Sequence, residues 1–118
     1  MTTTSSRRAD ALRRWARGDR ALEAAVALLI ESLDGRLLDG PWVRPVGSRR
    51  WFDPACAYAE SGALSGGERR VLAVATSLAS PDHPVDLGDA ITGMDPATVW
   101  VALRALAHAG GVDTEEAT

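Results

Sequence analysis

The chain contains no lysine, no asparagine and no glutamine. Without lysine there is no G-x-x-x-x-G-K-[ST] loop, so an autonomous P-loop ATPase is excluded. Cysteine occurs once, as Cys56, which rules out an intramolecular disulfide and points to a reducing, cytoplasmic setting. The two histidines and this cysteine are too far apart in sequence for zinc-ligand spacing. The longest strongly apolar run, Ala24 to Ile30, is closed by Glu23 and Glu31. It falls far short of the roughly 20 residues that span a bilayer. No signal-peptide pattern opens the chain. Asp53, Glu60, Asp86 and Asp89 make no paired-carboxylate spacing for acid–base work. The expectation from these absences is a non-enzymatic protein with no metal, no cofactor and no membrane partner.

What remains is an ordinary soluble composition: 118 residues, 46% hydrophobic and 25% charged. That length suits one domain with a modest core. The wealth of Ala, Arg and Gly, with Lys missing, reads as codon bias of a GC-rich bacterial genome. The formal charge of −3 conceals an asymmetry. Residues 1–50 carry ten Arg against six acids, a balance of +4, and residues 51–118 carry three Arg against ten acids, a balance of −7. Such halves attract one another, or offer a basic face to a polyanion.

Hydrophobic periodicity predicts a mainly α-helical fold of four to five helices, with one short β-hairpin near residues 42–52. Residues 1–6 read as a disordered polar lead, 7–110 as a single helical domain and 111–118 as a flexible acidic tail. Arg7 to Arg17 suits a first helix, with Ala9, Leu12 and Ala16 on one face. Gly18-Asp19 is a stop followed by an N-cap, and residues 20–33 form the strongest helix, apolar nearly all round and therefore central. Residues 53–62 read as a loop or a single helical turn. A further helix covers 66–79, a short one falls within 85–92 under an Asp86 cap, and Asp95-Pro96 starts the last. In that last helix Val99, Trp100, Leu103 and Leu106 are expected to face inward.

One segment carries a sharper signal. Leu64-Ser65-Gly66-Gly67-Glu68 is followed directly by an Ala-rich apolar helix, and Gly93-Met94-Asp95-Pro96 comes downstream. Residues 60–110 resemble the signature and D-loop half of ABC-type ATPases. The resemblance implies that Ser65, Gly66, Gly67 and Glu68 assist a phosphate site held by a partner ATPase, with Asp95 matching the D-loop aspartate. A glycine pair at a helix N-terminus is physically suited to an anion. The chain departs from that pattern at Gly88-Asp89, where the family has an Asp-Glu pair, and at Pro84-Val85-Asp86-Leu87, which is no buried strand. The whole chain also resembles small uncharacterised proteins of GC-rich bacteria, a likeness that implies no activity.

A plainer account covers the same residues. Ser65-x-x-Glu68 is a capping box with Leu64 where a hydrophobic staple begins, and Asp95-Pro96 is an N-cap followed by Pro at N1. Elsewhere, Arg7, Arg13, Arg14 and Arg17 could contact nucleic acid phosphates, joined by Arg20, Arg49 and Arg50. A solvated helix face is the favoured reading of these arginines. Trp42, Trp51 and Phe52 would anchor a partner if exposed, or plug a small core. The functional expectation is a small cytosolic binding or accessory protein acting through a protein partner or self-association. The alternatives are a phosphate-binding helper using Ser65–Glu68 and a nucleic-acid binder using the first helix.

Overall fold

A computed structural model describes residues 4–112. Helix α1 spans Thr4–Ala16 and α2 spans Arg20–Glu31. A 3-10 segment, Leu33–Asp39, leads to the antiparallel strands β1 (Val43–Val46) and β2 (Arg49–Phe52). Helices α3 (Pro54–Glu60), α4 (Gly66–Ala79), α5 (Leu87–Thr92) and α6 (Pro96–Ala109) complete the described chain. The fold is mainly α with one hairpin. The last helix and the hairpin fall where the sequence pattern puts them. Residues 4–6 belong to α1 rather than to a polar lead. Residues 1–3 and most of the expected acidic tail, 113–118, lie outside the described residues.

The caps explain the boundaries. Asp19 accepts from the Leu22 amide, Asp53 from Cys56, Asp86 from Asp89 and Asp95 from Thr98. Each satisfies an amide that the first helical turn leaves without an intrahelical partner. Asp53 with Pro54 at N1 turns the expected loop of 53–62 into the true helix α3. After α2 the backbone passes through the left-handed region at Leu33, Asp34 and Gly35 (φ 53°, 57° and 75°). That bend ends the helix two residues before the predicted Leu33 and lets 33–39 fold back along it. The hairpin pairs Val43 with Phe52 and Val46 with Arg49 across a two-residue turn. Gly47 sits first in that turn with φ 62°, where a type II′ turn wants glycine.

Helix α2 is the hub, in contact with α1, α4, α6 and the 3-10 segment. Ala24, Ala25, Val26, Leu28 and Leu29 are all buried on it. Around them close Leu12 and Ala16 of α1, Leu37 and Leu38, Phe52, and Val71, Leu72, Val74 and Ala75 of α4. Strand β2 lies against α1, and α3 against α4. Among the described residues no helix is long and apolar enough to cross a membrane.

Helix α6 departs from expectation. Its large apolar residues do not all point inward: Trp100 is 63% exposed and Leu103 46%. The buried positions are instead the small ones, Thr98, Ala102 and Ala105. The reason is the surface α6 rests on. It packs mainly on α2, whose Ala27 lines the same groove as Ala105 of α6. Short side chains on both helices allow close backbone approach, which indole and isobutyl groups would prevent.

Candidate functional site

Ser65 to Glu68 form the predicted capping box. Ser65 Oγ accepts from the Glu68 amide at 3.3 Å, and Glu68 Oε1 accepts from the Ser65 amide at 3.0 Å. The backbone hydrogen bond from Ser65 is the main reason the Glu68 carboxyl titrates below its ordinary range. The hydroxyl that the ABC-type resemblance would aim at a phosphate thus serves the cap through its oxygen, as acceptor. Ser65 and Gly66 are exposed, while Gly67 and Glu68 are partly covered. The two resembling segments do meet in space, bridged by Arg70. Its Nε donates to the Asp89 carbonyl at 3.3 Å, and its guanidinium occupies the space a Cβ on Gly93 would need.

The aromatic trio divides. Trp42 and Phe52 are buried, at 3% and 0% exposure, so they cannot be surface anchors. Both sit in the main core, and the Trp42 indole Nε1 donates to the Leu37 carbonyl at 2.8 Å. That bond satisfies the one polar atom of the ring, which is what allows tryptophan to be buried. Trp51 is half-buried on β2. Tyr58, exposed, lies with its ring centroid 5.0 Å from that of His83, the two planes tilted by 45°. Cys56 is half-buried, and desolvation raises its thiol pKa, which disfavours the reactive thiolate.

The arginines of α1 also divide. Arg13 and Arg17 reach a groove of about 720 Å³ lined by residues of α1, α2 and α6, and Arg7 and Arg14 are not part of it. Arg49 and Arg50 lie on β2, away from the groove. The groove instead gathers Arg20, Arg104 and His108, together with Glu23 and Glu31. Its two carboxylates are engaged. Glu23 lies 2.7 Å from His108 Nε2 and accepts from the Gly18 amide at 3.1 Å, and Glu31 lies 3.7 Å from Arg104. The His108 bond is the leading cause that holds Glu23 below its ordinary pKa, with the Gly18 amide next. Sequence reading missed Arg104, His108 and the two glutamates because they come from segments up to 85 residues apart.

A second surface is apolar. Pro96, Trp100, Leu103 and Ala107 follow the i, i+4, i+7, i+11 rule and so share one face of α6. Val99 and Leu106 flank it, half-buried. The charged side chains of α6, Arg104 and His108, line the groove beside this stripe. Among the described residues no cluster of His, Cys, Asp and Glu could hold a metal ion. No family model, no curated protein and no solved structure matches the chain.

Proposed function

We propose that this chain is a cytosolic, non-enzymatic binding protein that works through a protein interface on the outer face of α6. The observation that carries this reading is the uncharged stripe Pro96–Trp100–Leu103–Ala107, with Trp100 63% exposed. An exposed tryptophan inside an apolar stripe is the residue type that dominates binding energy at interfaces.

The partner this face fits best is a second copy of the chain. The N-terminal end of α6 carries Asp95 and follows the Asp86 and Asp89 of α5. The other end carries Arg104 and His108, with Arg20 reaching the His108 carbonyl at 3.5 Å. Two α6 helices laid antiparallel across a two-fold axis set acidic end against basic end and Trp100 against the partner copy's stripe. An isologous pairing of this kind repeats each contact twice.

Light scattering and sedimentation over a wide range of protein concentration test the reading. A dimer that dissociates on dilution, and that Trp100→Glu converts to a folded monomer, is the expected result. A protein that stays monomeric at every concentration refutes self-association. A partner captured by the wild type and lost by Trp100→Glu would keep the face and replace the second copy with another chain.

A further inference from the structure

We propose that the groove between α1, α2 and α6 is a docking site for an acidic, amphipathic helix of a partner protein. The argument is one of shape and unmatched charge, on a face of α6 other than the Trp100 stripe.

Shape comes first. The groove takes Arg20, Glu23, Ala27 and Glu31 from α2, a helical row running the whole length of that helix. From α6 it takes Val101, Arg104, Ala105 and His108, again one row. Glu23 faces His108 and Glu31 faces Arg104, so the two helices run antiparallel along the groove. Helix α1 contributes only its last turn, Arg13, Ala16 and Arg17, and closes one end. At 1.5 Å per residue the α2 row is about 17 Å long, the length of three helical turns. The side chains along its floor are small: Ala27, Val101 and Ala105, with the exposed Val112 at the end. Small apolar residues along the seam, with the Glu23–His108 and Glu31–Arg104 pairs lying across it, give a shallow surface on which an amphipathic helix can lie.

Charge decides which helix. The groove's glutamates are already answered within the chain, Glu23 by His108 and the Gly18 amide, Glu31 by Arg104. The surplus is Arg13, Arg17 and Arg20. Arg13 has a 3.3 Å contact to exposed Asp10, and Arg20 has a 3.5 Å contact to a carbonyl and a through-space attraction to Glu23. A partner helix that places carboxylates at this corner meets guanidiniums with open donor positions, where planar bidentate pairing is available. A lone small anion fits less well, because single ion pairs with exposed arginines are weak and an anion has no apolar stripe to lay on Ala27, Val101 and Ala105. A nucleic acid fits less well too, since Arg7 and Arg14, which would extend a phosphate-binding row, lie outside the groove.

The test uses the full chain and a fluorescein-labelled helical peptide with a Leu/Ala stripe flanked by glutamates, followed by fluorescence anisotropy. Probes of the rival chemistries are the same peptide with glutamine for glutamate, inorganic phosphate, and a labelled single-stranded oligonucleotide. The expected result is saturable binding of the acidic peptide that weakens with salt. Arg17→Glu with Arg20→Glu should weaken it at least about tenfold, a difference of roughly 1.4 kcal/mol. Arg49→Glu with Arg50→Glu, the same charge change on β2, should leave it within about twofold, as sites far apart behave independently. Circular dichroism confirms that both double variants are folded. Equal binding of the glutamine peptide, equal loss in both double variants, or tighter binding of the oligonucleotide would overturn the proposal. Because Arg20, Arg104 and His108 also serve the α6 pairing, binding is read at protein concentrations where light scattering shows a monomer, which separates loss of docking from loss of pairing.

Discussion

Helices α2 and α6 are similar in length and both strongly apolar, yet they end in different environments. Helix α2 touches α1, α4, α6 and the 3-10 segment, and its leucines Leu28 and Leu29 are wholly covered. Helix α6 rests mainly on α2, buries threonine and alanine, and leaves Trp100 and Leu103 in solvent. Apolar content therefore does not determine burial. The number of neighbours that a helix's position allows determines it. A helix with one main neighbour has a single covered stripe, and small residues filled that stripe here. The large residues left outside forgo a burial worth roughly 1.5–3 kcal/mol for a Leu-sized side chain.

The largest test of this contrast is truncation on the two helices. Leu29→Ala should cost about 2–5 kcal/mol in urea unfolding, the range for a large-to-small change in a packed core. Leu103→Ala in the dilute monomer should stay within about 0.5 kcal/mol, as expected of a surface change. Equal losses would mean that α6 is as enclosed as α2. The N-caps give a middle-sized test. Asp19→Ala and Asp95→Ala should each cost about 0.5–2 kcal/mol, read as a shift in the unfolding midpoint at constant slope.

Ser32, the residue that ends α2, gives a smaller test of opposite sign. It is 1% exposed and its hydroxyl has no hydrogen-bond partner among the described residues. An unsatisfied buried polar group is costly. Ser32→Ala should therefore leave stability unchanged or raise it by up to about 1 kcal/mol. A clear loss would show that the hydroxyl is bonded in solution.

The smallest test concerns the seam between the two helices. Glu23 titrates below its ordinary 4.5 in the folded chain, first because of the His108 hydrogen bond. A lowered carboxyl pKa stabilises the folded state above the unfolded value, and that contribution disappears as pH falls through the folded value. Stability should thus fall on acidification below about pH 4.5, and Glu23→Gln should make that decline shallower. Unfolding midpoints measured across the acid range would show it. Identical acid limbs in both proteins would mean the seam bond does not form in solution.

Much of the local structure was legible because it is written within a few residues. Gly18-Asp19, Ser65-x-x-Glu68, Asp86 and Asp95-Pro96 mark helix starts by chemistry that acts across one turn. Gly47 marks the hairpin turn in the same way. Helix α3 was underestimated, although Asp53-Pro54 carried the same cap signal as Asp95-Pro96. The left-handed passage is marked by Asp34-Gly35, which reads as a helix stop, but nothing in the sequence marks its first residue, Leu33.

The two proposed surfaces were less legible. The apolar arc of α6 and its opposite arc of Thr98, Ala102 and Ala105 both stand in the sequence. Size alone suggests that the large arc is the buried one, and that inference fails when the neighbouring helix presents alanines. The groove required contacts between residues as distant as Arg20 and His108.

The sequence by itself determined where the principal helices begin and that the fold is mainly α. It also excluded a P-loop, because no lysine is available to build one. Only the tertiary structure decided that Trp42 and Phe52 are core, that Trp100 is surface, and that Arg13, Arg17 and Arg20 converge while Arg7 and Arg14 do not. Capping and periodicity act within a turn or two of helix. Which face is covered depends on which other segments arrive, and close helix contact here selected small side chains over large ones.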